Sequence, residues 1–304
     1  MNIQEKFEKG AHNHTYTRID PEYKVDIYLG YTQDGQMSMV ITEPGKQTLI
    51  KSSKLIDVKM EKRDDGKCML YFNLLDASYK SMYFIFCKDM IGICEKAGSS
   101  MAISNAVTRW KYWKEMFGKK KQTILDKMEI KGLIGELLEL RDHFIKDYGE
   151  IDAVASWMGP LLGHKDFEID DTWYEVKAVA ENAIQVKISS LEQLESDIDG
   201  HLVVVRLEDT STVASNGINL NNMVASVAEQ ISDPDNLNLY MNRLDNMGYA
   251  YDEEYDSICF AYKGTEYYSV REGFPRLVRS EVNPSIGNAS YTILLNGVRD
   301  YREV

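Results

Sequence analysis

Apolar and polar positions alternate with a period of two along residues 25–31 (VDIYLGY), 37–41 (MSMVI), 54–60 and 69–74. Successive side chains of a strand point to opposite faces, so these stretches predict half-buried strands. Gln33-Asp34-Gly35 and Asp64-Asp65-Gly66 stand between them with hairpin-turn composition. Residues 80–87, ending in the apolar run YFIFC, predict a further strand. One wet face per strand predicts antiparallel sheets, and residues 1–100 read as a β-rich recognition or assembly domain.

The period then changes. Residues 89–95 predict a short apolar helix, 97–100 a small-residue loop, and Ser104 caps a helix running to Phe117. Residues 123–146 predict the strongest helix, striped by Ile124, Met128, Leu133, Leu137 and Leu140. Gly132 and Gly135 interrupt it, each costing about 1 kcal/mol relative to alanine. A glycine there lets another segment come close, which places Glu136 at the approach. Residues 165–169 and 173–179 predict a hairpin about Asp170-Asp171, followed by strands at 184–188 and 201–207 (HLVVVRL). Helices at 218–231 and 236–247, a hairpin of 257–262 with 266–270 about Gly264, and a strand at 289–295 complete an α/β (α+β) chain. Residues 101–304 form its second expected domain.

Composition narrows the function classes. The chain has 304 residues, 44% hydrophobic and 27% charged, an ordinary globular balance. No run approaches the roughly eighteen apolar residues of a membrane span, and the first residues carry no apolar segment behind their charges. Cys68, Cys87, Cys94 and Cys259 form no close pairs, so buried thiols in a reducing cytoplasm are expected. A net charge of −13 argues against a surface that coats nucleic acid non-specifically. Positive charge must then be local. The most basic stretch holds Arg109, Lys111, Lys114, Lys119, Lys120 and Lys121 around Trp110, Tyr112 and Trp113. It reads either as a phosphate-contacting segment or as an amphipathic helix that buries its tryptophans and ends in a solvated linker.

The chemistry concentrates between Gly132 and Gln193. Glu175 and Lys177 share one face of their strand, and Asp166 can join them from the neighbouring one. Carboxylates held close repel, and a divalent cation or a proton must neutralise them. Mg²⁺ typically takes one or two carboxylates with water and substrate phosphate, and polarises that phosphate. Lys177 can orient an attacking water or stabilise a pentavalent phosphate. Ser189, Ser190 and Gln193 offer neutral donors beside it. An E-x-K triplet alone carries little, since Glu22-Tyr23-Lys24 and Glu129-Ile130-Lys131 match it too. A salt-bridged surface hairpin is the bland alternative. His164 reads as a loop residue, His143 as a helix-surface residue, and Trp157 and Trp173 as packing residues.

The run GLIGELLEL…W-x-GP…H-x-DFEI…WYEVKA…VKISSLEQL, then HLVVVRL, resembles the PD-(D/E)XK nuclease superfamily, and more narrowly the PD-(D/E)XK-motif proteins of bacterial restriction and phage-defence gene neighbourhoods. The resemblance implies a restriction-endonuclease-like core, a mixed sheet flanked by helices. It implies Asp166 and Glu175 as metal-binding acids with the Val176 carbonyl, Glu136 as an added acid, Lys177 as the catalytic lysine and Gln193 as an orienting residue. Lys165 stands where the superfamily has proline, and Asp197 where a tyrosine would follow Gln193. The expectation is a cytoplasmic Mg²⁺-dependent DNA endonuclease, with Mn²⁺ able to substitute, positioned by partner subunits or paired as a homodimer. A non-catalytic DNA-binding or assembly subunit of the same fold is the rival, and an RNA-directed phosphoesterase a third reading.

Overall fold

The computed structural model describes residues 3–9, 14–97, 101–118, 124–161 and 164–303. The chain divides into two compact units, residues 1–122 with 231–237, and residues 123–230 with 238–304.

The first unit opens with α1 (Ile3–Lys9), then β1 (Tyr16–Arg18), β2 (Asp26–Tyr31), β3 (Met37–Pro44), β4 (Ile56–Lys62) and β5 (Lys67–Leu74). These strands form an antiparallel sheet in the order β1-β2-β3-β5-β4. Helices α2 (Lys80–Ala97) and α3 (Ala102–Gly118) follow. Residues 80–87 are therefore helical, not a strand. Over the longer window the buried positions are Met82, Tyr83, Ile85, Phe86, Cys87, Asp89, Met90, Ile91 and Cys94, with Ser81, Phe84, Lys88 and Gly92 on the less buried face. That is a helical period, which a five-residue apolar run is too short to reveal. Phe72, Phe86, Trp110 and Trp113 meet in the core, with ring centroids 5.2–6.0 Å apart where they touch. All four cysteines are buried free thiols.

The second unit begins with α4 (Lys127–Glu139), started by a capping box in which Asp126 accepts from Met128 and Glu129 while Glu129 accepts from Asp126. The start expected at Thr123 lies outside the described residues. Ile124 and Met128 are exposed, and the buried stripe is instead Ile130, Leu133, Ile134, Leu137 and Leu138. A π-helical turn at Leu140–Phe144 leads into α5 (Ile145–Ser156), broken by Gly149 at φ 80°.

Next come β6 (Phe167–Ile169), β7 (Thr172–Val179), β8 (Gln185–Ile188), β9 (Gly200–Thr210), β10 (Gly217–Ile218), α6 (Leu220–Gln230), α7 (Pro234–Asn246), β11 (Cys259–Val270) and β12 (Tyr291–Leu294). The main sheet runs β10-β11-β9-β7-β6, mixed because β7 and β9 are parallel. The hairpin expected about Gly264 is one strand. β11 pairs along the whole of β9 and absorbs its extra residue as a bulge between Tyr262 and Gly264, where glycine supplies φ 133°. Strand β8 pairs with β12 as a separate ribbon. No helix among the described residues is long and apolar enough to cross a membrane.

Helix α4 covers one face of the sheet. A Cβ on Gly135 would stand 3.1 Å from that of Ala178 and 3.7 Å from Val176, whereas Gly132 has open space. On the other face Trp173, Leu202, Val204, Tyr268 and Val270 pack with Val186, Ile188, Ile293 and Leu295. Gly200 makes room for the Trp173 ring, since a Cβ would fall 2.1 Å from Cε2. The ring is buried and its Nε1 is tied to the Ile198 carbonyl, so it cannot retreat. Gly200→Ala is expected to destabilise the unit by about 1–3 kcal/mol or more through overpacking. A lower urea midpoint at unchanged slope would show it, and an unaltered midpoint would refute it.

Candidate active site

Strand β6 pairs with β7 only through Phe167–Ile169 opposite Thr172–Tyr174. Past Tyr174 the outer edge of β7 has no strand beside it, because β6 ends the sheet. Asp166 closes that edge with its own groups. Its N–H donates to the Tyr174 carbonyl at 3.1 Å, and its Oδ2 accepts the Val176 N–H at 2.7 Å. The N–H and C=O of one strand residue point to the same edge, so the Val176 carbonyl faces the Asp166 side.

The segment after α5 brings in the next acid. Met158 and Gly159 N–H groups donate to the Asp166 carbonyl at 2.8 and 3.2 Å. A Cβ on Gly159 would stand 3.0 Å from Glu136 Oε2 and 3.3 Å from Asp166 Oδ1, so both carboxylates flank the same space. Glu136 is buried on α4, and Trp157 Nε1 donates to its Oε2 at 2.7 Å. On β7, Lys177 Nζ donates to Glu175 Oε1 at 2.6 Å. Glu175 is 1% exposed, and its Oε2 has no hydrogen-bond partner.

Burial governs the electrostatics. Desolvation, then the Asp166 carboxylate, push Glu175 up to about 8. The same two causes raise Glu136 well above the usual carboxylate range. Burial also raises Asp166, against the Lys177 ammonium and the Val176 N–H, which both favour its charge. Burial works to lower Lys177, but Glu175 and Asp166 together carry it above the ordinary lysine value. Three acids thus share one ammonium, and the cluster retains protons near neutrality unless another cation enters.

The available donors are all oxygens: three carboxylates and the Val176 carbonyl. That chemistry suits Mg²⁺ or Mn²⁺, and the orphaned Glu175 Oε2 fits a cation. Among the described residues no three His, Cys, Asp or Glu side chains already converge as a chelating group. Lys177 holds one Glu175 oxygen, Trp157 one of Glu136, and the Val176 N–H one of Asp166. Mg²⁺ needs only one or two carboxylates, with water and substrate supplying the rest.

Gln193 lies in the turn after β8, where its Oε1 accepts the Ser189 N–H at 2.7 Å. Ser189 is exposed and Ser190 half-buried. Lys165 is the residue that sequence reasoning passed over. Its Nζ donates to the carbonyls of Glu192, Gln193 and Glu195 at 2.7, 2.8 and 3.0 Å and sits 3.9 Å above the Trp173 ring. Burial pushes it down to about 8. Arg276 takes the Leu194 and Ser196 carbonyls, so two cations hold the turn that carries Gln193. Trp157 and Gly159 were also missed as site residues. A buried indole N–H needs an acceptor, and that was the available signal for Trp157.

Arg109 is on α3 in the first unit, bonded through Nε and Nη2 to buried Asp89 at 2.6 and 3.0 Å and stacked on Tyr112. Lys111 is exposed and Lys114 half-exposed; Lys119, Lys120 and Lys121 lie outside the described residues. His164 is exposed. His143 stands between Glu139 and Asp147 at 3.6 and 3.4 Å.

Among known families, residues 3–296 match the one described as "Putative PD-(D/E)XK family member, (DUF4420)". No curated protein and no solved structure matches the chain.

Proposed function

Because this chain belongs to the DUF4420 family of PD-(D/E)XK type across nearly its whole length, we propose that it is a metal-dependent DNA endonuclease acting in restriction or anti-phage defence. The observation that carries the reading is that Glu136 and Asp166 flank Gly159, while Asp166 at the open edge of β7 takes the N–H of Val176, the residue between Glu175 and its partner Lys177. Glu136, Asp166 and Glu175, with the Val176 carbonyl, would hold Mg²⁺ or Mn²⁺. When bound, such an ion polarises a phosphodiester and eases ionisation of water. Lys177 supplies a fixed positive charge beside the scissile phosphate, where charge grows as the bond to water forms. The Trp157 indole and the Val176 N–H hold Glu136 and Asp166 in place, and the Lys165–Arg276 clamp fixes the turn of Gln193. An acidic chain must meet DNA through local positive charge, so partner subunits or a second copy of the chain complete the grip.

The test is a cleavage assay on supercoiled, linear and single-stranded DNA, with RNA as a further arm, in Mg²⁺, Mn²⁺ or EDTA. Metal-dependent cutting of DNA is expected. Its absence on every substrate, alone and with the products of neighbouring genes, overturns the reading. A second reading, a non-catalytic DNA-binding or assembly subunit, is favoured by one observation: each of the three acids already has an internal hydrogen-bond partner. It predicts that Asp166→Asn leaves the biological function intact.

A further inference from the structure

A second cationic feature lies on the face of β7 that carries Lys177, outside the acid cluster. The β7–β9 register sets Lys177 opposite Val204 and Val179 opposite Arg206, so Arg206 shares that face. It stands two residues further along, roughly 7 Å. There a cleft of about 640 Å³ opens, lined by Arg206, Arg299 and Arg302 above Tyr268 and Leu295. Glu266 is the only acid in its lining.

The pairing within this cleft leaves positive charge over. Arg206 is spent: Nε and Nη2 bond Glu266 Oε2 at 3.1 and 2.8 Å, and Nη1 bonds the Glu181 and Ala183 carbonyls. Glu266 is spent too, since Tyr268 also donates to Oε2 and Arg302 Nη2 holds Oε1 at 3.1 Å. Both its oxygens are engaged, and neither reaches Arg299. Arg299 is exposed, and its guanidinium has no ion-pair partner among the described residues. Three guanidinium groups therefore face one carboxylate in a chain whose net charge is −13. Their mutual repulsion is relieved by an anion, and a guanidinium fork matches phosphate oxygens in pairs.

We propose that the Arg299–Arg302 cleft is a phosphate-binding subsite, its ligand a phosphate ester on the backbone of a nucleic-acid strand or on a small nucleotide. The first source rests on the nuclease reading, and the second does not. Both arginines are exposed, so replacing them costs the fold only the Arg302–Glu266 ion pair, and Arg206 is kept to hold Glu266.

The experiment is equilibrium binding in EDTA by the full chain and by the R299A/R302A variant. The probes are a labelled single-stranded oligonucleotide, a labelled duplex, and inorganic pyrophosphate with a nucleoside diphosphate. For a strand, the variant is expected to bind at least about tenfold more weakly, with the slope of log K against log salt smaller by about 1 to 2. Loss confined to pyrophosphate and the nucleoside diphosphate assigns the subsite to a small nucleotide. Equal affinity and salt slope for every probe overturn the proposal. Because no metal is present, failure here leaves the cleavage reading standing, and failed cleavage with intact binding removes that reading alone.

Discussion

Asp166→Asn and Lys177→Met are each expected to lower metal-dependent DNA cleavage by about 10²–10³-fold, the range seen when one preorganised electrostatic group is removed from a reacting centre. The substitutions are chosen so that lost activity is not lost fold. Asparagine keeps an oxygen for the Val176 N–H, the bond by which Asp166 closes the edge of β7. Methionine keeps the length and apolar stem of Lys177, and Glu175, with its affinity for protons already raised, neutralises itself when the ammonium goes. Circular dichroism and the urea midpoint check that the fold persists. Single-turnover rates in saturating Mg²⁺ separate the two roles. The asparagine variant should regain part of its rate at high Mn²⁺, because one ligand is missing, and the methionine variant should not. Rates within threefold of the parent for both would remove Asp166 and Lys177 from the chemistry.

Without divalent metal the protein is expected to lose stability as pH rises from about 5 to 8. Glu175 is pushed up to about 8 by burial and Asp166, above its ordinary 4.5, so between those values the folded state binds the proton that the unfolded state has released. Stability from such a group is present at the low end and is lost as pH climbs through 8. The raised Glu136 and Asp166 act in the same direction. Lys177, raised from 10.5, does not titrate in this window, and Lys165, lowered to about 8, acts above it. The loss is on the order of a few kcal/mol. Glu175→Gln should flatten the profile and leave the variant more stable than the parent at pH 8 in EDTA. Mg²⁺ should raise the parent's melting temperature at pH 8, since a ligand of the folded state alone stabilises it, and should do so less in the variant. An identical pH slope in parent and variant would sink this account.

Much of the candidate cluster was legible because it is local. Asp166, Glu175 and Lys177 lie within one hairpin, and strand alternation alone puts Glu175 and Lys177 on one face. Glu136 was legible through its neighbour, since Gly135 marks where α4 comes down on Val176 and Ala178. Lys165 was not. Nothing at its position in the chain reveals that the carbonyls of Glu192, Gln193 and Glu195 converge on it from across the fold. Arg109 misled in the opposite direction. Among aromatics and lysines it reads as surface charge, yet Asp89, twenty residues earlier, takes one edge of its guanidinium with both carboxylate oxygens.

The antiparallel first sheet and the hairpin that carries the acids follow from local sequence alone, each set by periodicity and turn chemistry within a few residues, whereas the parallel pairing of β7 with β9 is a long-range choice of the fold. Tertiary structure alone decided that residues 80–87 are helical, that β11 runs straight past Gly264, and that β8 pairs with β12. In each case a short segment satisfies two local geometries, and the partner that settles its backbone hydrogen bonds or buries its face is distant in the chain. The same holds for charge. Composition sets the total at −13, but only the fold decides that Lys177 is shared among three buried acids while Arg299 faces a cleft whose one carboxylate is already taken.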